Sequence, residues 1–378
     1  MTSNTKSADP VSAEAGYPDL LRMGHRFETS VGQRKAFDGL KGPMDLAFGG
    51  DGWFYILNRQ NFDAVVYENI PHVTKARFLV CNIDDEFQRN ISPLIDGKPQ
   101  ESGEVSGSEL YESPVFCDSD LQGSLFFTDE RVNKVVTMTT DRGDVTAAWG
   151  ETGDGPGALN APSGISYLKD DTLWVVSSRS ARVQQFTRSG EYICGFGENG
   201  SEPGQMSFPW GVAVDPIDGS IVVADWRNDR VQRFSPEGEL LQVLDQLGRD
   251  AGRLNRPSDV AVDAHGDLYV CDRGNDRLVQ FNRAGLFIEA MRGDAVMTER
   301  GADKLMANPA MLRWRDHIVD LGREKLFWKP TAVKVDDEFR VHVIDSGRFR
   351  MQIYRKTFRE LGDDQIDPPE TYADPKIN

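Results

Sequence analysis

The 378-residue sequence predicts an all-β fold, a six-bladed β-propeller of four-stranded antiparallel blades. Three observations carry this. A proline followed by a short β-branched run recurs at Pro43, Pro114, Pro162, Pro209, Pro257 and Pro330, with spacings of 71, 48, 47, 48 and 73 residues. The second run of each unit ends in a short polar residue: Asn58, Asp129, Ser177, Asp225, Asp272 and Asp345. Five residues later a basic side chain follows in five units, Lys134, Arg182, Arg230, Arg277 and Arg350, while the first unit has Asp63 there. A unit of this size with four short runs cannot bury both faces alone, so neighbouring units must stack and the ring must close.

The stretch Phe208–Leu244 shows one unit plainly: FPWGVAVDPIDGSIVVADWRNDRVQRFSPEGELLQVL. Asp218-Gly219, His265-Gly266, Gly238 and Gly285 supply the positive φ that hairpin turns need. The last unit offers only three strands, Ala332–Val335, Arg340–Ile344 and Arg350–Tyr354. Gly24–Leu40 reads like a fourth strand and its loop. Gly24–Ser30 is therefore expected to pair beside Arg350–Tyr354 and close the ring without an exposed edge.

The propeller is expected over residues 20–360, with polar tails at 1–19 and 361–378 read as disordered. Two connections exceed the repeat length. Residues 84–113 carry eight acidic and two basic side chains. Residues 292–329 carry a helix signal: Asn308 as N-cap, Pro309 in the first turn, and Met311, Trp314, Ile318 and Leu321 as an apolar stripe. Both connections join a fourth strand to a first strand. Antiparallel order then puts them on the face that receives the turns after each second strand. Two readings stand for them, the walls of a pocket or the cover of an apolar patch or subunit contact.

The pattern P-x-G-[IV]-A-V-D-x-x-G-x-[IVL]-[YV]-V-x-D-x-x-N-x-R-V-Q-x-F resembles the NHL repeat, most closely from Pro162 to about Met291 and more loosely over roughly residues 24 to 358. The resemblance implies the propeller. It leaves function open, since similar propellers serve as lyases, as RNA- or protein-binding modules and as scaffolds. Some of them are zinc lyases that use a ring of histidines. Of His25, His72, His265, His317 and His342, only His317 is placed over the mouth, short of the three ligands such a zinc needs.

A net charge of −17 argues against a nucleic-acid surface and an anionic membrane as partners. No apolar run approaches 18 residues, and MTSNTKSADPVSAEAG lacks the apolar core of a signal peptide, so a cytoplasmic location is expected. The four cysteines show no C-x-x-C spacing and read as reduced core residues.

Against this acidic background the turns after the second strands hold Arg59, Arg131, Arg179, Arg227, Arg273 and Arg348 on one face. Arg131, Arg179, Arg227 and Arg348, with Trp210 and Trp226 as a stacking wall, are the candidate ligand-binding residues. The competing reading pairs the arginines with nearby carboxylates and packs the tryptophans between blades. Two residues past each anchor proline the innermost strand carries Asp45, Phe116, Gly164, Gly211, Asp259 and Ala332. Asp45 and Asp259 are candidate ligands for one divalent cation, calcium or similar, or else caps for neighbouring N–H groups. The expected function is a binding module that holds an anionic small molecule or a protein partner at its arginine face. The alternative is a lyase or hydrolase with a divalent metal at the channel mouth.

Overall fold

The computed structural model describes residues 20–32, 40, 42–50, 52–59, 77–99, 111–245, 252–296, 306–310, 313, 317 and 320–361. They form six four-stranded antiparallel blades, each opened at the axis by one of the six anchor prolines. Blade one is Pro43–Phe48, Phe54–Asn58, Arg77–Cys81 and Phe87–Ile91. Blade two is Pro114–Ser119, Ser124–Asp129, Lys134–Thr139 and Val145–Trp149. Blade three is Pro162–Tyr167, Thr172–Ser177, Arg182–Thr187 and Tyr192–Phe196. Blade four is Pro209–Val214, Ile221–Asp225, Arg230–Phe234 and Leu240–Leu244. Blade five is Pro257–Val262, Leu268–Asp272, Arg277–Phe281 and Phe287–Met291. Blade six is Pro330–Val335, Arg340–Asp345 and Arg350–Glu360, completed by Leu20–Val31 from the start of the chain. This closing pair runs from Leu20↔Glu360 to Val31↔Met351, longer than Gly24–Ser30 alone.

The core lies between blades. Val222 and Ala224 pack toward blade five, while Ile221 and Val223 pack toward blade three. A strand buried on both sides needs a continuous apolar run, which is why IVVA replaces a polar alternation. The same arrangement yields an apolar cluster at each of the six junctions. Cys81, Cys117 and Cys271 are buried free thiols within it.

Polar side chains stitch the inner ring. Asp45 Oδ2 accepts from the Cys117 N–H at 2.8 Å, Asp118 Oδ2 from Tyr167 at 2.8 Å, and Asp259 Oδ2 from Val333 at 3.0 Å. Ser163 Oγ donates to the Trp210 carbonyl and Ser346 Oγ to that of Pro43, both at 2.8 Å. Between blades four and five the backbones come so close that a Cβ on Gly211 would sit 2.4 Å from Asp259 Oδ1, so only glycine fits. The strand-end acids hold the next connection. Asp225, Asp272 and Asp345 each accept one backbone N–H at 2.7 Å from the loop before their own anchor proline. Their other oxygens take Arg230, Arg277 and Arg350, which are buried. The recurring basic residue is therefore structural. Blade one obeys the same pattern in space: Asn58 pairs with Arg77, and Asp63 lies outside the described residues.

Two expectations need correction. Residues 84–113 are not one connection, because Phe87–Ile91 is the fourth strand of blade one. The residues after it form the short hairpin Leu94–Ile95 with Lys98–Pro99, and Leu94 bridges to Asp144 on the outer turn of blade two. The chain returns to the mouth at Glu112 and Ser113, whose N–H groups bond Asp129. The second correction concerns the helix in 292–329. Among the described residues no helix reaches seven residues: Met306, Pro309, Ala310 and Arg313 are helical and Leu321–Glu324 is a 3-10 turn, so a helical insertion of the expected length is not supported. Asn308 does cap Ala310 N–H at 3.1 Å, but Pro309, Ala310, Arg313, His317 and Leu321 are all exposed. Met311, Trp314 and Ile318 lie outside the described residues, as do the tails 1–19 and 362–378 and His72.

Blade six is flanked by two buried histidines. His265 stacks on Phe339 at 4.1 Å, takes Lys356 Nζ on Nδ1 at 3.2 Å and faces Glu360 at 3.7 Å. His342 lies edge-on to Phe48 and Phe54, each at 5.0 Å, with Nε2 3.0 Å from Asp336. Burial holds both below the ordinary histidine value, aided at His265 by Lys356 and opposed at His342 by Asp336. The unfolded chain therefore takes up protons first, and stability falls as pH drops below about 6.5, by up to about 1.4 kcal/mol per pH unit per histidine. Asp45 acts oppositely in the same range, since burial pushes its carboxyl up to about 6. The expected result is a difference: wild type loses more stability from pH 7 to 5 than the His265→Gln/His342→Gln double variant. Parallel urea midpoints for the two proteins would contradict it.

Candidate functional site

The inner strands start at the mouth, next to the turns that follow the second strands. In blades four, five and six those turns are single 3-10 turns, Trp226–Asn228, Arg273–Asn275 and Ser346–Arg348. Each ends in a residue of positive φ, Asp229, Asp276 or Phe349. Asp229 and Asp276 reach across to the backbone N–H of Arg256 and Lys329, both at 2.7 Å. Those two residues also have positive φ and precede anchor prolines. This geometry turns the side chains of Phe208, Arg256 and Lys329 outward in a repeating position.

The result at blades four and five is an aromatic platform carrying arginines. Trp210 meets Phe116 and Trp226 edge-on, each at 6.0 Å, and Phe208 lies 5.8 Å from Trp226. Arg227 stands over Phe208 at 4.7 Å, Arg256 over Trp226 at 5.1 Å and Arg273 over Trp210 at 5.9 Å. At these distances each guanidinium is attracted by the ring it lies over. None of these three side chains makes an ion pair among the described residues. Burial, then Arg256 beside it, holds the Arg273 guanidinium below its ordinary value. Arg273 Nε and Trp226 Nε1 are buried donors without a partner.

The sequence candidates divide. Trp210, Trp226 and Arg227 come together on this platform. Arg179 is exposed on the next turn round and makes no side-chain bond among the described residues. Arg131 is 3.0 Å from Glu112, and Arg59 pairs with Glu130 at 2.5 Å, so blade two's side of the ring is neutralised. Arg348 lies over Trp328 at 5.7 Å and donates to the Arg323 carbonyl at 2.7 Å. Arg256 and Phe208 were not among the site candidates. Their signal was the position before the anchor proline.

Asp45 and Asp259 are fully enclosed near the axis, and each has one oxygen on the N–H of the next inner strand. Burial raises both, Asp259 well above the usual carboxylate range. The charge that most opposes this at either residue is Lys334, four residues past Pro330. Burial works against the Lys334 ammonium, but Asp45, Asp118 and Asp259 outweigh it and raise its pKa. Lys334 is half-buried and makes no ion pair among the described residues. The sequence reading passed over it because the other blades carry small or acidic residues there. Among the described residues no group of three His, Cys, Asp or Glu side chains is arranged to hold a metal.

The protein is thus a six-bladed β-propeller with arginines over aromatic rings at one face and enclosed acids near the axis. Its blades four and five match the family model of the NHL repeat, over residues 206–234 and 254–281, and the fold is an NHL-repeat propeller. No curated protein sequence matches the chain. Among solved structures, a Bacteroides thetaiotaomicron protein of unknown function is similar with TM-score 0.56 and 13% identity, covering 90% of this chain and 77% of that one. Virginiamycin B lyase from Staphylococcus aureus gives 0.51 and 12%, covering 88% and 99%. A streptogramin B lyase gives 0.49 and 11%, covering 89% and 99%. At these identities the likeness is one of fold.

Proposed function

We propose that the protein is a binding module whose mouth captures an anionic group. The observation that carries this is the set Arg227, Arg256 and Arg273, lying over Phe208, Trp226 and Trp210 with no ion pair among the described residues, in a chain of net charge −17. An acidic protein has carboxylates to spare. Three neighbouring arginines without an ion pair among the described residues, together with the unpartnered Trp226 Nε1, favour a ligand that brings acceptors. The aromatic floor suits a ligand with a flat apolar part. The binding reading is preferred to the lyase or hydrolase reading because the cationic charge facing Asp45 and Asp259 is Lys334 from the chain itself.

Calorimetry with benzoate and phenyl phosphate at low salt tests the proposal. Arg273→Met and Arg227→Ala are each expected to weaken binding by roughly 1.5–3 kcal/mol, the worth of a hydrogen bond to a charged group. Added salt should weaken it further. Binding that ignores both substitutions would defeat the anion site.

A further inference from the structure

The pairing of cations with aromatic rings does not stop at blade five. Asp229 and Asp276 hold Arg256 and Lys329 by their backbone N–H groups at equivalent places, one blade apart. Arg256 lies over Trp226 at 5.1 Å; Lys329 lies over Trp328 at 5.9 Å, with Arg348 over the same ring at 5.7 Å. The Gly347 N–H donates to the Trp328 carbonyl at 2.8 Å, which ties the blade-six turn to that tryptophan, and Phe349 ends the turn. Trp328 and Phe349 are 48% and 47% exposed. The two parts are joined by contacts. Trp226 meets Trp210 at 6.0 Å, Arg273 lies over Trp210 at 5.9 Å, and Asp276, on the same turn as Arg273, bonds Lys329. Blades four to six thus carry one continuous arc of exposed rings and cations, and Arg227, Arg256, Lys329 and Arg348 make no ion pair among the described residues.

The arc is not uniformly basic. Asp229 and Asp276 are exposed between the cations, and each spends only Oδ1 on a backbone N–H among the described residues. A nucleic-acid strand would set its unbroken row of phosphates against these two carboxylates. A ligand matched to the arc brings spaced carboxylates for the cations, N–H donors for the second aspartate oxygens, and apolar bulk for Trp328 and Phe349. An extended peptide supplies all three, since its backbone offers donors between side chains that alternate in direction. We propose that the arc across blades four to six docks an extended acidic peptide with aromatic side chains, its carboxylates at Arg227, Arg256 and Lys329 and an aromatic residue against Trp328 and Phe349. This rests on the anion-binding reading and names the partner class. Exposed tryptophan beside arginine is the composition that carries most of the energy at protein interfaces. In a chain of net charge −17 such a basic arc also distinguishes one face for an acidic partner that the rest of the surface repels.

The test titrates blocked peptides of one, two and three Gly-Glu-Phe repeats into the full chain by calorimetry at low salt, beside phenyl phosphate and an oligouridylate of matching length. The three-repeat peptide is expected to bind about tenfold or more tightly than the single repeat, the scale of one further charge-assisted hydrogen bond. Lys329→Asn, which suits the positive φ there, should cost the three-repeat peptide about tenfold and leave phenyl phosphate binding as in wild type. Arg348→Gln serves in its place where circular dichroism shows the first variant misfolded. If phenyl phosphate binds but affinity does not rise with repeat number, or the blade-six variant binds the long peptide like wild type, this inference falls and the anion site stands. If the oligouridylate binds more tightly than the three-repeat peptide, the arc reads nucleic acid and the inference falls. If neither phenyl phosphate nor any peptide binds, both readings fall.

Discussion

Deleting residues 1–32 is expected to cost the propeller its single cooperative transition, or more than about 5 kcal/mol of a total in the usual range of 5–15. The strand Leu20–Val31 is the outermost strand of blade six, and without it Arg350–Glu360 becomes an open edge. Val31 leaves the cluster it shares with Leu46, Ile344 and Met351. Arg22 leaves Asp267, which it holds through two bonds of 2.8 and 2.6 Å, and His25 leaves Glu289 and Tyr269. Deleting only residues 1–19 removes none of these contacts and should shift stability by no more than about 0.5 kcal/mol. Urea denaturation of both truncations decides the matter. A 1–32 deletion that unfolds like the full chain would show that blade six does not depend on its borrowed strand.

Lys356→Met should be the most damaging single change, at about 3–5 kcal/mol, the cost of stripping a partner from buried charge. The Lys356 ammonium is enclosed between blades six and five, 2.5 Å from Asp263 Oδ2 and 2.8 Å from Asp267 Oδ2. Both carboxylates are buried on the turn DAHGD. The Arg22 and Lys356 bonds and charges hold Asp267 below the usual carboxylate range against the opposing effect of burial, so its ionised form is the native one. Removing Lys356 leaves Asp267 with Arg22 and with Gln280 Nε2 at 2.9 Å, and leaves Asp263 Oδ2 to the Tyr269 hydroxyl at 3.2 Å while its Oδ1 keeps the His265 and Asp267 N–H groups. The Asp263→Asn/Asp267→Asn/Lys356→Met triple variant should recover part of the loss, because no buried carboxylate is left without its cation and the one ion stripped of a partner, Arg22, is partly exposed. If the single variant melts within a degree of wild type, the cluster is not the fastening between the terminal strands and blade five.

The fold was legible where backbone chemistry repeats. The prolines mark the inner strands because each is followed by a register shift in its pairing, as between Pro257 and Asp259. The strand-end acids mark the connections because each binds a loop N–H, so they cannot drift. Blade one hid its third strand, since counting five residues from Asn58 reaches Asp63 while the pairing residue is Arg77. Local spacing has no access to a lengthened turn. The helix in the second long connection failed for another reason. Asn308 and Pro309 do mark a start, with Asn308 on the Ala310 N–H and Pro309 and Ala310 helical, but a start signal does not set a helix's length. The neighbourhood of Trp226 and Arg227 was legible from their turn, and that of Trp210 from its place after the anchor proline. Arg256 was not, because among the described residues it has no carboxylate partner and sequence does not show an absent neighbour; Lys334 was not, because the acids that act on it, Asp45, Asp118 and Asp259, come from other blades.

Leu20 and Glu360 sit opposite each other at the same end of the closing strand pair, while Val31 and Met351 sit at the far end. A tether pulling outward from these two positions would not load the whole ladder together. Each antiparallel bond lies across the strands, so tension would reach the Leu20–Glu360 rung first and pass to the next only after that one yields. The ring would part as a zipper does, at low force and from one edge. A pull applied between Leu20 and Met351 would instead strain every rung at once, in shear, and meet far greater mechanical resistance.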